Sequence, residues 1–164
     1  ILPGANGLIN LTVPVAGGRD QKNPMKDVRI DYTTDWQKIH WRTIFSVYGN
    51  SPWFEYYSSE LELLYMNKFE YLAELNSVGH RWVSEKLGMI IPEINSRQIE
   101  NAEIRDLRNG IVPSNFHLES FGPFPDYPQV FEDKTGFKPN MSILDLLFCE
   151  GKRAAGLLRK YSGV

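Results

Sequence analysis

From Thr34 to Gly88, apolar side chains recur at three- and four-residue intervals through three consecutive segments. A chain with three adjacent amphipathic helices must bury their apolar stripes against one another or against a shared partner. Each segment carries a start signal. In "TDWQ", Thr34 and Gln37 have the spacing of a capping box. Behind them Trp36, Ile39, His40, Thr43, Ile44 and Val47 form a helical stripe that "YGN" ends. Ser51 before Pro52 reads as an N-cap with proline at the first helical position, opening the aromatic-rich "SPWFEYYSSELELLYMN". Asn67 and Glu70 repeat the capping logic in "NKFE". The helix they open should run to Gly88, a C-terminal glycine, with Tyr71, Leu72, Leu75, Val78, Trp82 and Leu87 on its buried face.

The flanks are different. "LINLTVPV" (8–15) is rich in β-branched residues, and "KDVRIDY" (26–32) alternates Val28, Ile30 and Tyr32 against charged neighbours. Both read as strands, expected to pair across the Gly-rich loop "AGGRDQKNP". "MIIPEI" reads as a short strand or an extended connection, and "NSRQIENAEIRDLRNGI" is ambiguous. "VPSNFHLESFGPFPDYPQVF" holds four prolines and reads as a long loop, with a short strand at 129–131. Helix resumes at Ser142, and Gly151 divides two short helices. The expected class is α+β: a mainly helical single domain over 1–164, with a small sheet of about two to four strands near the N-terminus and a long Pro-rich loop.

A net charge of -2, with scattered Lys and Arg, argues against a nucleic-acid binder, which needs a basic face. One cysteine, Cys149, leaves no internal disulfide and no CxxC metal knot, and fits a reducing, cytoplasmic setting. No apolar run approaches the roughly 20 residues of a membrane span. The start "ILPGANG" lacks an initiator Met, so the chain reads as cut from something longer.

Asp145 is the oddest residue, a carboxylate inside the apolar run of "SILDLLF". It stands three residues after Ser142, so it can answer the Ser142 N–H and favour the positive end of the helix dipole. Alternatively, the loop 124–140 folds over this helix start, and Asp145 faces a cleft as an orienting group or base. His40 lies one turn from Trp36 and one from Ile44: either a hydrogen-bonded core histidine, or a general acid or base walled by Trp36. His80 and His117 make no metal spacing with it, so no metal site is expected. Cys149 reads as a buried, inert thiol. Arg108, in "DLRN", can hold a phosphate or carboxylate, or form a surface ion pair. The aromatics of "PWFEYY" read as core, or as a stacking or partner surface. No dinucleotide, Walker or nucleophile-elbow motif occurs, and no cofactor is named by the sequence.

The ordered set "LTVPV", "DVRIDYTTDWQKIHWRTIFSVYGNSPWFEYY" and "YPQVFEDKTGFKPNMSILDLLFCEG" resembles the WbqC-like family of bacterial proteins, over residues 5–151. That family carries a further N-terminal segment, absent here, and commonly has Asn where this chain has Cys149. The family is named for a protein of O-antigen gene clusters. The resemblance therefore implies work on surface-polysaccharide precursors: acyl or aminoacyl transfer to a nucleotide-activated amino sugar, a small-molecule substrate. Family-like positions are Trp36, His40, Tyr127, Gln129, Asn140 and Asp145. In an enzyme of this kind His40 would be the base and Asp145 would orient it or the substrate. Tyr127 and Gln129 would contact the sugar or nucleotide, with Trp36, Asn140 and Arg108 as further binding groups. The alternative is a non-catalytic binding or assembly module presenting its aromatic-rich helix.

Overall fold

The computed structural model describes residues 1–18, 22–89 and 123–162. Arg108, His117 and the expectations for 90–122 lie outside these residues. Strands β1 (Leu2–Gly4) and β2 (Gly7–Ile9) form an antiparallel hairpin with Leu2 opposite Ile9 and Gly4 opposite Gly7. The strand expected at 8–15 is thus short and pairs first with the preceding segment, while its end keeps the expected partner, since Val15 bridges Ile30. The turn at Ala5 and Asn6 explains this. A partner two residues away costs far less closure entropy than one across a long Gly-rich loop.

The segment 26–32 is still used, through isolated bridges. Val15 faces Ile30, flanked by Ala16 N–H to the Arg29 carbonyl and Asp31 N–H to the Pro14 carbonyl, both 2.9 Å. On the other side Arg29 faces Tyr71, with Ile30 N–H on the Glu70 carbonyl at 3.0 Å and Leu72 N–H on Val28 at 2.9 Å. Val28 and Ile30 are buried while Arg29 points out to Glu70, 3.0 Å away, as the alternation predicts.

Helices α1 (Trp36–Tyr48), α2 (Phe54–Met66) and α3 (Leu72–Lys86) follow. All three exist where periodicity put them, but each start signal works differently. The Gln37 amide goes to the Asn67 carbonyl at 2.5 Å instead of back to Thr34. The Ser51 hydroxyl donates to the Tyr48 carbonyl, so Pro52 sits in a turn and the helix starts two residues later. At α3 it is Tyr71 N–H that reaches a first-turn carboxylate, Glu74, at 3.2 Å. The stop at Gly88 holds: with φ +60 it lets Met89 N–H reach the Ser84 carbonyl at 2.8 Å and its own N–H reach Glu85 at 3.1 Å, closing a Schellman motif.

The strand expected at 129–131 is instead the entry to the single turn α4 (Glu132–Thr135), because the Phe131 carbonyl accepts from Lys134 N–H and Thr135 N–H. Helices α5 (Ile143–Glu150) and α6 (Ala154–Ser162) are joined by one 3₁₀ turn at Gly151–Arg153. Helix α5 is central: Leu146, Leu147 and Phe148 are buried. Phe148 has ring contacts with Tyr48 at 4.9 Å and Phe54 at 5.2 Å. On α1 the buried stripe is Trp36, His40, Ile44, Val47 and Tyr48, while Ile39 is exposed.

Helix α3 buries only Trp82 and Ser84 fully, although its apolar stripe is in place. Leu75 and Val83 are half-covered because they look into a cleft rather than a neighbouring helix. Gly79 lies on the same face. Its backbone is not in the positive-φ region, and no described atom lies within 4 Å of where a Cβ would stand. A mid-helix glycine costs roughly 0.5–1 kcal/mol relative to alanine. Gly79→Ala is therefore expected to stabilise the fold by about that amount, read as a rise in the denaturation midpoint at unchanged slope. A loss of stability would mean that another part of the chain packs against this face of α3.

Candidate functional site

Asp145 resolves first. Ser142 is the N-cap of α5, its hydroxyl accepting from Leu144 N–H at 3.3 Å. The Ser142 N–H, however, donates to the Ile1 carbonyl at 3.0 Å, so Asp145 does not close a capping box. Its carboxyl turns inward and is fully buried. Oδ2 accepts from the Tyr127 hydroxyl at 2.8 Å and from the Gln129 amide at 2.9 Å. Gln129 is itself clamped, donating to the Lys138 carbonyl at 2.9 Å while its own carbonyl accepts Lys138 N–H at 2.8 Å. The loop 124–140 thus folds back onto α5, as the sequence suggested. It seals the carboxylate instead of opening a cleft to it.

Among the described residues Oδ1 of Asp145 and the Tyr48 hydroxyl are buried with no well-formed hydrogen bond, although the Tyr48 hydroxyl lies close enough to Asp145 to favour its ionised form. Burial raises the Asp145 pKa, outweighing the hydrogen bonds that favour its ionised form. It raises Tyr48 and Tyr127 as well, with the Asp145 charge adding to the effect. Cys149, in the same helix, is pushed up to about 12 by burial, which leaves it a thiol and a poor nucleophile.

His40 belongs to a second cluster. It is 5% exposed, and its Nε2 lies 3.1 Å from the Thr12 carbonyl. Since a carbonyl only accepts, Nε2 carries the proton and the lone pair is on Nδ1. Trp36 meets the imidazole edge-on at 5.0 Å, and Tyr65 does so at 6.0 Å. Burial lowers the His40 pKa more than the Thr12 carbonyl raises it. A histidine depressed in the fold contributes stability above its unfolded pKa and loses it as pH falls. His40→Gln keeps a donor for Thr12 but cannot titrate. It should flatten the loss of stability between about pH 7 and about pH 5, measured by urea unfolding at each pH. A wild-type slope that the variant retains would locate the titration elsewhere.

Among the described residues no hydrogen bond links His40 to Asp145; each has other partners. The orienting role expected of Asp145 toward His40 is therefore not seen in the bonding. What connects the clusters is a solvent-open cleft of about 300 Å³. Trp36 and Tyr65, the rings against His40, form one wall. Ile143 and Leu144, which precede Asp145 on α5, contribute another, and Leu75, Gly79, Trp82 and Val83 of α3 close the opposite side. Among the described residues the buried Trp36 indole N–H has no partner, whereas Trp82 Nε1 donates to Glu60 at 3.2 Å. The Tyr65 hydroxyl is pushed up to about 12 by burial and stays protonated.

Asn140 is exposed, with φ +54 in the turn after Pro139, a conformation asparagine tolerates better than most residues. Arg108 lies outside the described residues. Sequence reading missed Tyr65 and Gly79; the one available signal was a glycine in mid-helix on an apolar face. The aromatic helix is mostly core: Phe54 and Tyr57 are buried, Trp53 is half-buried, and Tyr56 is 57% exposed under the Lys152 ammonium. No group of metal-binding side chains occurs among the described residues, and no helix there is long and apolar enough to cross a membrane.

No curated protein and no solved structure matches the chain. The model of one family does, over residues 1–115, a span holding Trp36, His40 and most of the cleft but not Tyr127, Gln129, Asn140 or Asp145. With well over half its length matched, the chain belongs to the WbqC-like protein family.

Proposed function

We propose that the chain works in the cytoplasm on bacterial surface-polysaccharide precursors, transferring an acyl or aminoacyl group to the amine of a nucleotide-activated amino sugar. The observation that carries this reading is a neutral imidazole, with its Nδ1 lone pair uncommitted to Thr12, placed directly behind the Trp36–Tyr65 wall of an apolar cleft. In such a transfer the amine nitrogen bonds to the acyl carbonyl carbon. The donor's leaving group departs with the electron pair, and the amine proton passes to Nδ1 through a water or on movement of the Trp36 and Tyr65 rings, since His40 does not itself line the cleft, and then to that leaving group. A positioned base contributes roughly 10²–10⁴-fold. Asp145, Tyr127 and Gln129 act as positioning residues: they pin the loop 124–140 to the helix whose first residues line the cleft. Arg108 and Asn140 remain the candidates for contact with the nucleotide sugar.

The test is product formation by the full chain from nucleotide amino sugars and activated acyl donors, followed by intact mass. His40→Gln should lower the rate by about a hundredfold or more. Absence of product with every donor, or an undiminished rate in the variant, refutes the assignment. The assembly-module alternative has less support, since of the aromatic residues at the start of α2 only Tyr56 is strongly exposed.

A further inference from the structure

We propose that the cleft is a slot for a short unbranched acyl chain whose carbonyl oxygen accepts the Trp36 indole hydrogen. This deepens the transfer reading and rests on it only for the identity of the acyl group as a reactant. Three observations converge. Among the described residues no Asp, Glu, Lys or Arg lines the cleft, and its polar side chains Asn76 and His80 are exposed at the rim, so a diphosphate would find no fixed counter-charge inside. Beyond the reach of Asn76 and His80 at the rim, sugar hydroxyls would be left unpaired against Leu61, Leu75 and Val83. A volume of about 300 Å³ is at the small end of ligand pockets, which run to roughly 1,000 Å³.

The polar bookkeeping is equally specific. Trp36, a wall residue, carries a buried indole N–H without a partner among the described residues, and a ligand would reach it by a small turn of the ring. A buried polar group normally has a partner in the working state of a protein. An acyl group brings one acceptor and an otherwise apolar body, which matches one unpaired donor in an apolar wall. Gly79 supplies the third observation. It has no turn or positive φ to make and no described neighbour to accommodate, yet it sits in the middle of α3 on the cleft face. The missing side chain leaves room for something else.

The experiment titrates the full chain with the octanoyl thioester of N-acetylcysteamine, read by tryptophan fluorescence, since Trp36 and Trp82 both line the cleft. Saturable binding is expected. Gly79→Phe, which starts from open space and so should fold, is expected to weaken it at least tenfold by filling the slot. Trp36→Phe keeps an aromatic wall without the N–H and should weaken binding roughly three- to tenfold, the usual worth of one neutral hydrogen bond. Three results overturn the proposal: no binding, binding unchanged by Gly79→Phe, or binding unchanged by Trp36→Phe, which would leave the indole to a water. A parallel titration with a uridine-diphosphate amino sugar separates the two readings. Its binding in wild type and Gly79→Phe, without thioester binding, sinks the slot and spares the sugar-nucleotide reading. Thioester binding with no sugar-nucleotide binding does the reverse.

Discussion

Gly151→Ala is expected to destabilise the protein by about 3–5 kcal/mol, a large part of the total stability of a domain this size. Two independent costs add. The backbone at 151 has φ +56 and ψ -125, the mirror image of the extended region, where an L-residue is strained by roughly 1–3 kcal/mol. Space is the second cost. A Cβ at 151 would fall into the Trp53 indole, 2.7 Å from Cε3 and closer still to the ring-fusion carbons. That ring cannot simply retreat, because the Trp53 backbone N–H is held by the Phe148 carbonyl at 3.0 Å and the ring packs edge-to-face on Tyr56. Overpacking of this kind costs roughly another 1–3 kcal/mol. The double variant Gly151→Ala with Trp53→Ala separates the two, since it removes the collision and keeps the strain. It should recover part of the effect of Gly151→Ala relative to Trp53→Ala alone, and never all of it. A cost below about 1 kcal/mol for the single variant in urea unfolding would show that the turn can be remade without a glycine.

Gly151 also marks what could be read from the letters. Its role as a divider between two helices was plain, because a glycine after an apolar run ends a helix. That a tryptophan nearly a hundred residues earlier lies across its Cα was not, since no local pattern records a contact between distant segments. The same division recurs throughout. Helices α1, α2 and α3 followed from periodicity, which is a property of each helix alone. The start signals failed individually because capping competes with tertiary partners: Gln37 found the Asn67 carbonyl, and Ser142 N–H found Ile1. The β pairing was legible in part: Val15 meets Ile30 as expected, while a two-residue turn at Ala5 and Asn6 gave Gly7–Ile9 a nearer partner. At the site, polar residues inside apolar motifs flagged Asp145, Tyr127, Gln129 and His40, which are buried and partnered, and also Asn140, which is exposed in a turn. Sequence could not divide them into two clusters, because that division depends on which helix faces which. Nor could it find the cleft, which is made of residues such as Leu75 and Val83 that look identical to core.

The second large effect concerns Asp145, where Asn and Ala should part company. Asp145→Ala is expected to cost about 2–4 kcal/mol: it opens a void in α5 and strips the Tyr127 hydroxyl of its acceptor in a buried setting. Asp145→Asn keeps an acceptor for Tyr127 and Gln129 and turns an amide donor toward the side now occupied by the unpartnered Oδ1, where the Tyr48 oxygen lies near. It also removes a buried negative charge. Asn should therefore be neutral or stabilising at pH 7 while Ala is strongly destabilising. The pH dependence gives the sharper reading. Burial holds the Asp145 pKa above its unfolded value of about 3.9, so the native state binds more protons than the unfolded chain above about pH 4. The contribution of this group is then fully present below about pH 4 and declines as pH rises through the raised native pKa, opposite to the usual behaviour of a salt-bridged carboxylate. The stability difference between wild type and Asp145→Asn should move steadily in favour of the variant from about pH 4 to about pH 7, with Lys138 amide exchange reporting the same trend in the clamped loop. If instead wild type gains on the variant across that range, the carboxylate is stabilised in its ionised form, and Tyr127 and Gln129 are holding a charge in place rather than tolerating one.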